Sequence, residues 1–279
     1  MIVVTGATGQ FGRLVLERLL ERVAPTGLAV AVRDPAKAGD LAARGVGVRQ
    51  ADYDQPESLA AAFKDVERLL FVSSPVVGQD RSRLGQHRNV VSAARDAGVG
   101  TIVYTSGLGA DLVDDDVPIL GDHHVTENEI RASGVSSVML RHPLYTELFI
   151  NSYLRSAVEA GEVTSNTRGR GMNTASRADL AEAAAVVLTS TEDLVDVYNL
   201  TGRLWTYPEL ASALGQVTGR PVAYREVEED EGAIGFMGLA PLIRSGGFEV
   251  QTPDLEALLG HPATSLPEAV AAALSDGGA

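Results

Sequence analysis

The sequence predicts an α/β fold: a doubly wound parallel sheet in the first half and a smaller C-terminal α+β lobe. Three observations carry this. Short apolar runs alternate with amphipathic segments as far as residue 141, the βαβ pattern of a parallel sheet. The runs are continuous rather than alternating, as in strands covered on both faces. Three glycines, Gly6, Gly9 and Gly12, stand between the first run and the first helical segment.

The elements follow in order. IVVT (2–5) is a buried strand, and Leu14, Val15, Leu19 and Val23 give helical spacing over 10–23. LAVAV (28–32) is the second strand. DPAKAGDLAARG is a helix with Pro35 in its first turn and Gly45 past its end. VGVRQA (46–51) is the third strand, followed by a helix from Pro56 to Phe63 and a strand RLLFVSS (68–74). A helix over 87–98, a strand TIVYTS (101–106), a helix over 122–133 and a sixth strand SSVMLR (136–141) complete the half. Beyond residue 145 the pattern changes to helices near 146–160, 178–189 and 207–218, isolated strands at 196–200 and 221–227, and a last helix over 266–275. The expected division is residues 1–145 for a nucleotide-binding domain and 146–279 for a lobe packed on it, interleaved rather than independent.

Composition narrows the function. The 279 residues are 45% hydrophobic and 22% charged, which is ordinary globular usage. The net charge of −14 repels phosphate backbones, so nucleic acid is not an expected partner. With no cysteine there is no disulfide, thiolate metal site or cysteine nucleophile. No run approaches the roughly 20 apolar residues of a membrane span, and the N-terminus begins directly as a strand, so a soluble cytoplasmic protein is expected.

The glycine loop carries the strongest signal. In a dinucleotide turn one glycine permits the tight bend, a second lets the backbone approach the pyrophosphate, and a third allows close helix–strand packing. The helix N-terminus then offers free N–H groups and a positive dipole end. Here the spacing is G-x-x-G-x-x-G, a variant, in the required strand–loop–helix context. The candidate phosphate contacts are Gly6, Thr8, Gly9, Gln10, Phe11 and Gly12.

The end of the second strand chooses between cofactors. An acid there binds a ribose 2′-hydroxyl, as in NAD sites. This chain has Arg33, whose forked guanidinium suits a 2′-phosphate, and Lys37 adds a second cation. NADPH is therefore expected ahead of NADH. The alternative is that Asp34 takes the 2′-hydroxyl and Arg33 points away. Topology adds Asp52 and Tyr53 for the adenine and Ser73 and Ser74 for the ribose and pyrophosphate. The segment Arg141, His142, Pro143, Leu144 and Tyr145 is expected to frame the nicotinamide, since ligands of open α/β sheets lie outside the C-terminal strand ends.

Together TGATGQFG, AVRDPAKA, VRQADYDQPESL, LLFVSS, QHRNVVSAARDAGV, IVYTS, LRHPLYTE and GHPATSLPEAV resemble the NmrA-like, atypical short-chain dehydrogenase/reductase family. Within it the likeness is to the NADPH-dependent quinone oxidoreductase and triphenylmethane reductase branch. The resemblance runs nearly end to end and is weakest across 228–252. It implies a Rossmann-like domain, a small substrate lobe, NADPH, and hydride delivery to a quinone or similar acceptor. It also implies that Gly6 to Gly12, Arg33, Ser73, Ser74 and the Arg141–Tyr145 segment contact the cofactor.

Reductases of the wider superfamily use a Tyr-x-x-x-Lys pair and a serine or threonine after the fifth strand; the tyrosine donates a proton and the lysine lowers its pKa. Ser106 stands at the serine position. His123 stands at the lysine position and Ile119 at the tyrosine position. Without that phenol, an electron-poor conjugated acceptor, small and hydrophobic, is a better expectation than a ketone, because a quinone or cationic dye needs little proton help. The candidate catalytic residues are His123, Tyr145 and Ser106, with Tyr145 orienting the acceptor. Leu108, Phe149, Phe236 and Met237 are candidates for an apolar pocket. A metal is not expected, since His123 and Glu127 share a helix face without two further ligands, and His124 points elsewhere. The competing function is a non-catalytic NADP-binding redox sensor. A monomer or homodimer is expected.

Overall fold

The computed structural model describes residues 1–76, 82–228 and 240–275. Two compact units share the chain: residues 1–142 with 180–199, and residues 143–179 with 200–279.

The first unit holds β1 (Ile2–Thr5), α1 (Gln10–Leu20), β2 (Leu28–Val32), α2 (Gly39–Ala43), β3 (Gly47–Gln50) and α3 (Pro56–Ala62). It continues with β4 (Arg68–Phe71), α4 (Ser82–Asp96), β5 (Thr101–Gly107), α5 (Leu120–Ala132) and β6 (Ser136–His142). The chain then forms β7 (Leu144–Tyr145), α6 (Leu154–Ala160), β8 (Glu162–Ser165) and β9 (Met172–Ala175) in the second unit. α7 (Arg177–Thr189) leads back to the first unit and β10 (Val197–Asn199). The second unit ends with β11 (Leu204–Trp205), α8 (Tyr207–Thr218), β12 (Ala223–Glu226), α9 (Ala240–Arg244), α10 (Asp254–Leu259) and α11 (Leu266–Ser275).

The main sheet is seven-stranded, ordered β10-β6-β5-β4-β1-β2-β3, with every neighbouring pair parallel. The order reverses between β1 and β4, the switch point where such sheets bind ligands. All five residues of β2 are buried, as expected of a strand covered on both faces. Phe63, Phe71, Ile102, Tyr104 and Ile130 sit fully inside one face, and each large apolar side chain so buried contributes roughly 1.5–3 kcal/mol.

Several elements differ from the sequence expectation. The isolated strand at 196–200 is the seventh strand of the main sheet: β10 pairs with β6 from Val197 opposite Met139 to Asn199 opposite Arg141. The helix expected after Asp34 is split. Asp34 caps a 3-10 turn, Pro35–Ala38, by accepting from Ala36 N at 3.1 Å, and α2 starts only at Gly39. α4 begins at Ser82, five residues before the expected start at 87. The helix expected over 146–160 is a 3-10 turn, Thr146–Leu148, followed separately by α6. The strand at 221–227 is not isolated, since β12 pairs in parallel with β8.

In the second unit β11, β9 and β7 form a three-stranded sheet. Its core gathers Phe149, Leu154, Trp205, Leu210 and Leu214. A capping box starts α8: Thr206 Oγ1 accepts from Glu209 N at 3.3 Å, and Glu209 Oε2 accepts from Thr206 N at 2.8 Å. Among the described residues no helix is long and apolar enough to cross a membrane.

Candidate functional site

The glycine loop lies at the C-terminal end of β1, and each glycine has a separate physical reason. Gly6 has φ +60, a conformation L side chains rarely adopt. A Cβ on Gly12 would lie 2.4 Å from the Gly6 carbonyl oxygen and 2.8 Å from Ala7 Cα, so α1 packs on the loop only with glycine there. Gly9 is the N-cap of α1, and its N–H donates to the Gly6 carbonyl at 3.0 Å. No side chain caps α1 and no acid occupies its first turn, which leaves its N-terminus suited to a phosphate. Thr8 and Gln10 are exposed at the loop. Phe11 turns inward and meets the His142 ring edge-on at 5.2 Å between centroids.

At the end of β2, Arg33 and Lys37 are exposed and make no ion pair among the described residues. Their basic neighbours differ: Arg13 pairs with Asp40, and Arg44 pairs with Glu17. The Asp34 carboxylate is engaged in its cap on Ala36 N. This arrangement suits a 2′-phosphate on Arg33 better than a 2′-hydroxyl on Asp34.

The other expected adenine and ribose contacts are occupied by the protein itself. The Tyr53 hydroxyl lies 2.6 Å from Thr5 Oγ1 and 2.9 Å from the Val72 carbonyl oxygen, pinning the ends of β1 and β4. Its phenol is thus turned into the sheet edge rather than outward to an adenine. Asp52 forms an Asx turn, accepting from Asp54 N at 3.1 Å. Ser73 N donates to Thr105 Oγ1 at 2.9 Å, and Ser74 Oγ donates to Gln86 Oε1 at 2.5 Å.

His123 and Ser106 are both buried. Arg83 Nη2 donates to His123 Nε2 at 2.9 Å. Since a guanidinium only donates, the His123 proton sits on Nδ1 and is given to the Tyr104 hydroxyl at 2.8 Å. A second buried imidazole lies alongside. Ser74 N donates to His87 Nε2 at 3.0 Å, and His87 Nδ1 donates to Thr126 Oγ1 at 2.8 Å. Burial, reinforced by the charge of Arg83, pushes His87 down to about 3 and His123 well below the ordinary histidine value. Both rings are therefore neutral. His123 does have a phenol partner, supplied by β5 rather than by its own helix, but Tyr104 is fully buried.

Ser106 donates to Glu127 Oε1 at 2.6 Å. The same carboxylate receives Arg141 Nε at 2.8 Å, Arg141 Nη2 at 2.7 Å and Arg131 Nη2 at 2.9 Å. Arg141 Nη1 lies 2.8 Å from Asp111 Oδ2. The Arg141 guanidinium is thus committed to carboxylates, and the Ser106 hydroxyl can offer only lone pairs to a ligand. Arg83 and His87 were not among the expected site residues. Their signal is the four-residue spacing that puts both on one face of α4, and it is lost when the helix is started at 87.

In the second unit the Arg177 guanidinium carbon stands 4.4 Å above the centre of the Tyr145 ring. Tyr145 is half-buried, as is Leu144, while Pro143 is buried. Phe149 is a core residue there, 7% exposed and edge-on to Trp205 at 6.1 Å, so it does not line an open pocket. Leu108, in the first unit, is half-buried, and its N–H donates to the His142 carbonyl at 2.8 Å. Phe236 and Met237 lie outside the described residues. Among the described residues no group of three or more histidines and acids could hold a metal.

Residues 6–191 match the family described as NAD(P)H-binding. Quinone oxidoreductase 2 of Escherichia coli is 39% identical over 97% of each chain. An NmrA-like family domain-containing oxidoreductase of Aspergillus flavus is 34% identical over 88% of this chain and 78% of its own. The structure of the Citrobacter sp. triphenylmethane reductase complexed with NADP(H) superposes with a TM-score of 0.88 at 38% identity, over 98% of this chain and 100% of that one. On this sequence and fold, the chain belongs to the NAD(P)H-binding family, in the NmrA-like group of quinone oxidoreductase 2 and triphenylmethane reductase.

Proposed function

We propose that the protein is an NADPH-dependent reductase of quinones or related electron-poor conjugated acceptors, acting in the cytoplasm as a monomer or homodimer. The observation that carries this is the pairing of the glycine loop with two exposed cations at the end of β2 that make no ion pair among the described residues. The loop of Gly6, Gly9 and Gly12 would hold the pyrophosphate, and Arg33 with Lys37 the 2′-phosphate. The cofactor, when bound, supplies the hydride; the protein supplies position and a dry surround.

The choice of acceptor rests on what the buried groups withhold. The residue at the superfamily's lysine position, His123, is neutral and hydrogen-bonded at both nitrogens. Ser106 gives its proton to Glu127. Neither supplies a proton to an alkoxide. An acceptor whose reduced form is a stabilised anion, or needs no proton at all, fits that set. Tyr145 is the half-buried phenol assigned to orient it.

The test is a steady-state assay of purified protein with NADPH, following loss of nicotinamide absorbance, against a panel of quinones, cationic dyes and simple ketones. Turnover of quinones or dyes well above ketones is expected. NADPH binding with no turnover on any acceptor overturns the reading in favour of a redox sensor.

A further inference from the structure

We propose that Arg83 sets the charge preference of the acceptor site: its buried guanidinium, without a carboxylate partner among the described residues, favours acceptors that become anionic on reduction, such as quinones, and disfavours cationic dyes. The inference rests on the reductase reading above and deepens it, since that reading admits both classes of acceptor. Every residue it uses lies in the first unit.

Arg83 stands in the first turn of α4 and is 4% exposed. Its Nη2 donates to His123 Nε2 at 2.9 Å, while its Nε is buried without a hydrogen-bond partner. No carboxylate among the described residues pairs with it. Glu127, the buried acid of this unit among the described residues, is taken by Arg141, Arg131 and Ser106. His123, His87 and Tyr104 feel the Arg83 charge, which lowers all three, yet burial keeps each of them neutral. None of them offsets it. A buried cation without a counterion is costly, and a buried donor without an acceptor adds to that cost. A ligand that brings negative charge removes both costs at once.

The cluster shares a sheet edge with the glycine loop. Ser74, whose N–H donates to His87, lies just past the end of β4 at Phe71, and β4 pairs with β1. A Cβ on Gly107, the last residue of β5, would lie 3.1 Å from His123 Cδ2. These are C-terminal strand ends beside the switch point, where ligands of such sheets bind. In a low-dielectric surround the charge is felt without direct contact.

The step needs no proton from the protein. A quinone takes a hydride, with its electron pair, from reduced nicotinamide, which is left oxidised. One new bond to hydrogen forms, and a quinone oxygen is left as the hydroquinone anion, which water later protonates. Arg83 stabilises that anion, and a preorganised charge needs no rearrangement at the moment of transfer. A dye cation meets the like charge of Arg83 on binding, which weakens its hold.

The experiment compares wild-type protein with Arg83→Met, which removes the charge, and Arg83→Lys, which keeps it. The first readout is independent of turnover. para-Nitrophenol, whose coloured anion stands in for the hydroquinone anion, is titrated with pH in the presence of protein and oxidised NADP. Wild-type protein and Arg83→Lys should lower its ionisation midpoint by about one pH unit, a tenfold preference for the anion, and Arg83→Met should not. The second readout is kcat/KM on a quinone and on a cationic dye. Arg83→Met should lose about tenfold or more on the quinone and gain on the dye, and Arg83→Lys should restore the quinone preference. A midpoint that wild-type protein does not lower, or that Arg83→Met still lowers, overturns the proposal. An equal change on quinone and dye also overturns it and makes Arg83 a structural residue. Wild-type protein that lowers the midpoint yet turns over no acceptor overturns the reductase reading and supports the anion site, whereas an active enzyme with an unlowered midpoint overturns the anion site alone.

Discussion

Glu127 and Arg141 form a two-pronged ion pair inside the first unit, with Nε 2.8 Å and Nη2 2.7 Å from the two carboxylate oxygens. Glu127 is 1% exposed and Arg141 is 5% exposed. Burial pushes the Glu127 carboxyl up, but its hydrogen bonds from Arg141, Ser106 and Arg131 outweigh that and hold it below 4.5. The folded carboxyl is therefore more acidic than the unfolded one. Its stabilisation is complete above the ordinary carboxylate range and is lost as pH falls through the lowered folded value. Replacing Glu127 with glutamine leaves a buried guanidinium facing only the half-exposed Asp111. A loss of about 3–5 kcal/mol is expected, as when one partner of a buried pair is removed. Urea unfolding of Glu127→Gln at pH 7 measures it; a loss under about 1 kcal/mol would show that the pair is replaceable.

The buried histidines give a second pH dependence of the same sign. Burial lowers His87 and His142 to about 3, and holds His123 well below its ordinary 6.5. The unfolded chain takes up these protons below 6.5 while the folded chain does not, so stability falls as pH drops from 6.5 toward 3. Near pH 5 His87 and His142 alone bring the difference toward two protons, a slope of roughly 3 kcal/mol per pH unit by linkage, and His123 acts in the same direction. Urea midpoints from pH 7.5 to 4.5 should decline accordingly, and His87→Gln should flatten the curve by about one proton. A flat profile across that range contradicts the neutral, buried assignment.

The glycine loop is legible in the sequence because its constraints are local: a bend, a cap and a close approach fall within seven residues. The strand ends are less so. Tyr53 and Arg141 stand at the ends where ligands bind, yet their hydroxyl and guanidinium meet partners 48 and 14 residues away in sequence, Thr5 and Glu127. No periodicity encodes such pairings. The strand over 196–200 is legible, but its place is not: nothing local shows that β10 pairs in parallel with β6 and joins the main sheet. The split after Asp34 reflects turn chemistry, where a cap on Ala36 competes with a regular helix.

Gly12 and Gly85 should respond to alanine in opposite ways. At Gly12 the new Cβ meets backbone atoms at 2.4 and 2.8 Å, neither of which can rotate away. Displacement of α1 from the loop is expected, with a loss of about 1–3 kcal/mol and of cofactor affinity. Gly85 lies exposed in α4 with nothing within 4 Å of a Cβ. There alanine should stabilise by about 0.5–1 kcal/mol through reduced backbone entropy of the unfolded chain. Thermal unfolding and dinucleotide titration of the two variants, run together, check both signs.

Arg33 is the residue on which cofactor choice should turn. It is exposed, unpaired among the described residues, and follows a strand whose next acid, Asp34, is committed to a cap. A guanidinium reading a phosphate contributes a charge-assisted, salt-sensitive contact. Arg33→Ser should therefore weaken NADPH binding by about tenfold or more, on the order of 1.5–3 kcal/mol for a hydrogen bond to a charged group, and leave NADH unchanged. The wild-type preference for NADPH should also shrink as ionic strength rises, because the 2′-phosphate contact is screened and the rest of the dinucleotide is shared. Fluorescence titration of both dinucleotides at two salt concentrations measures each effect. Equal loss of NADH and NADPH affinity in Arg33→Ser would move the discrimination to Lys37, the other exposed cation at that strand end.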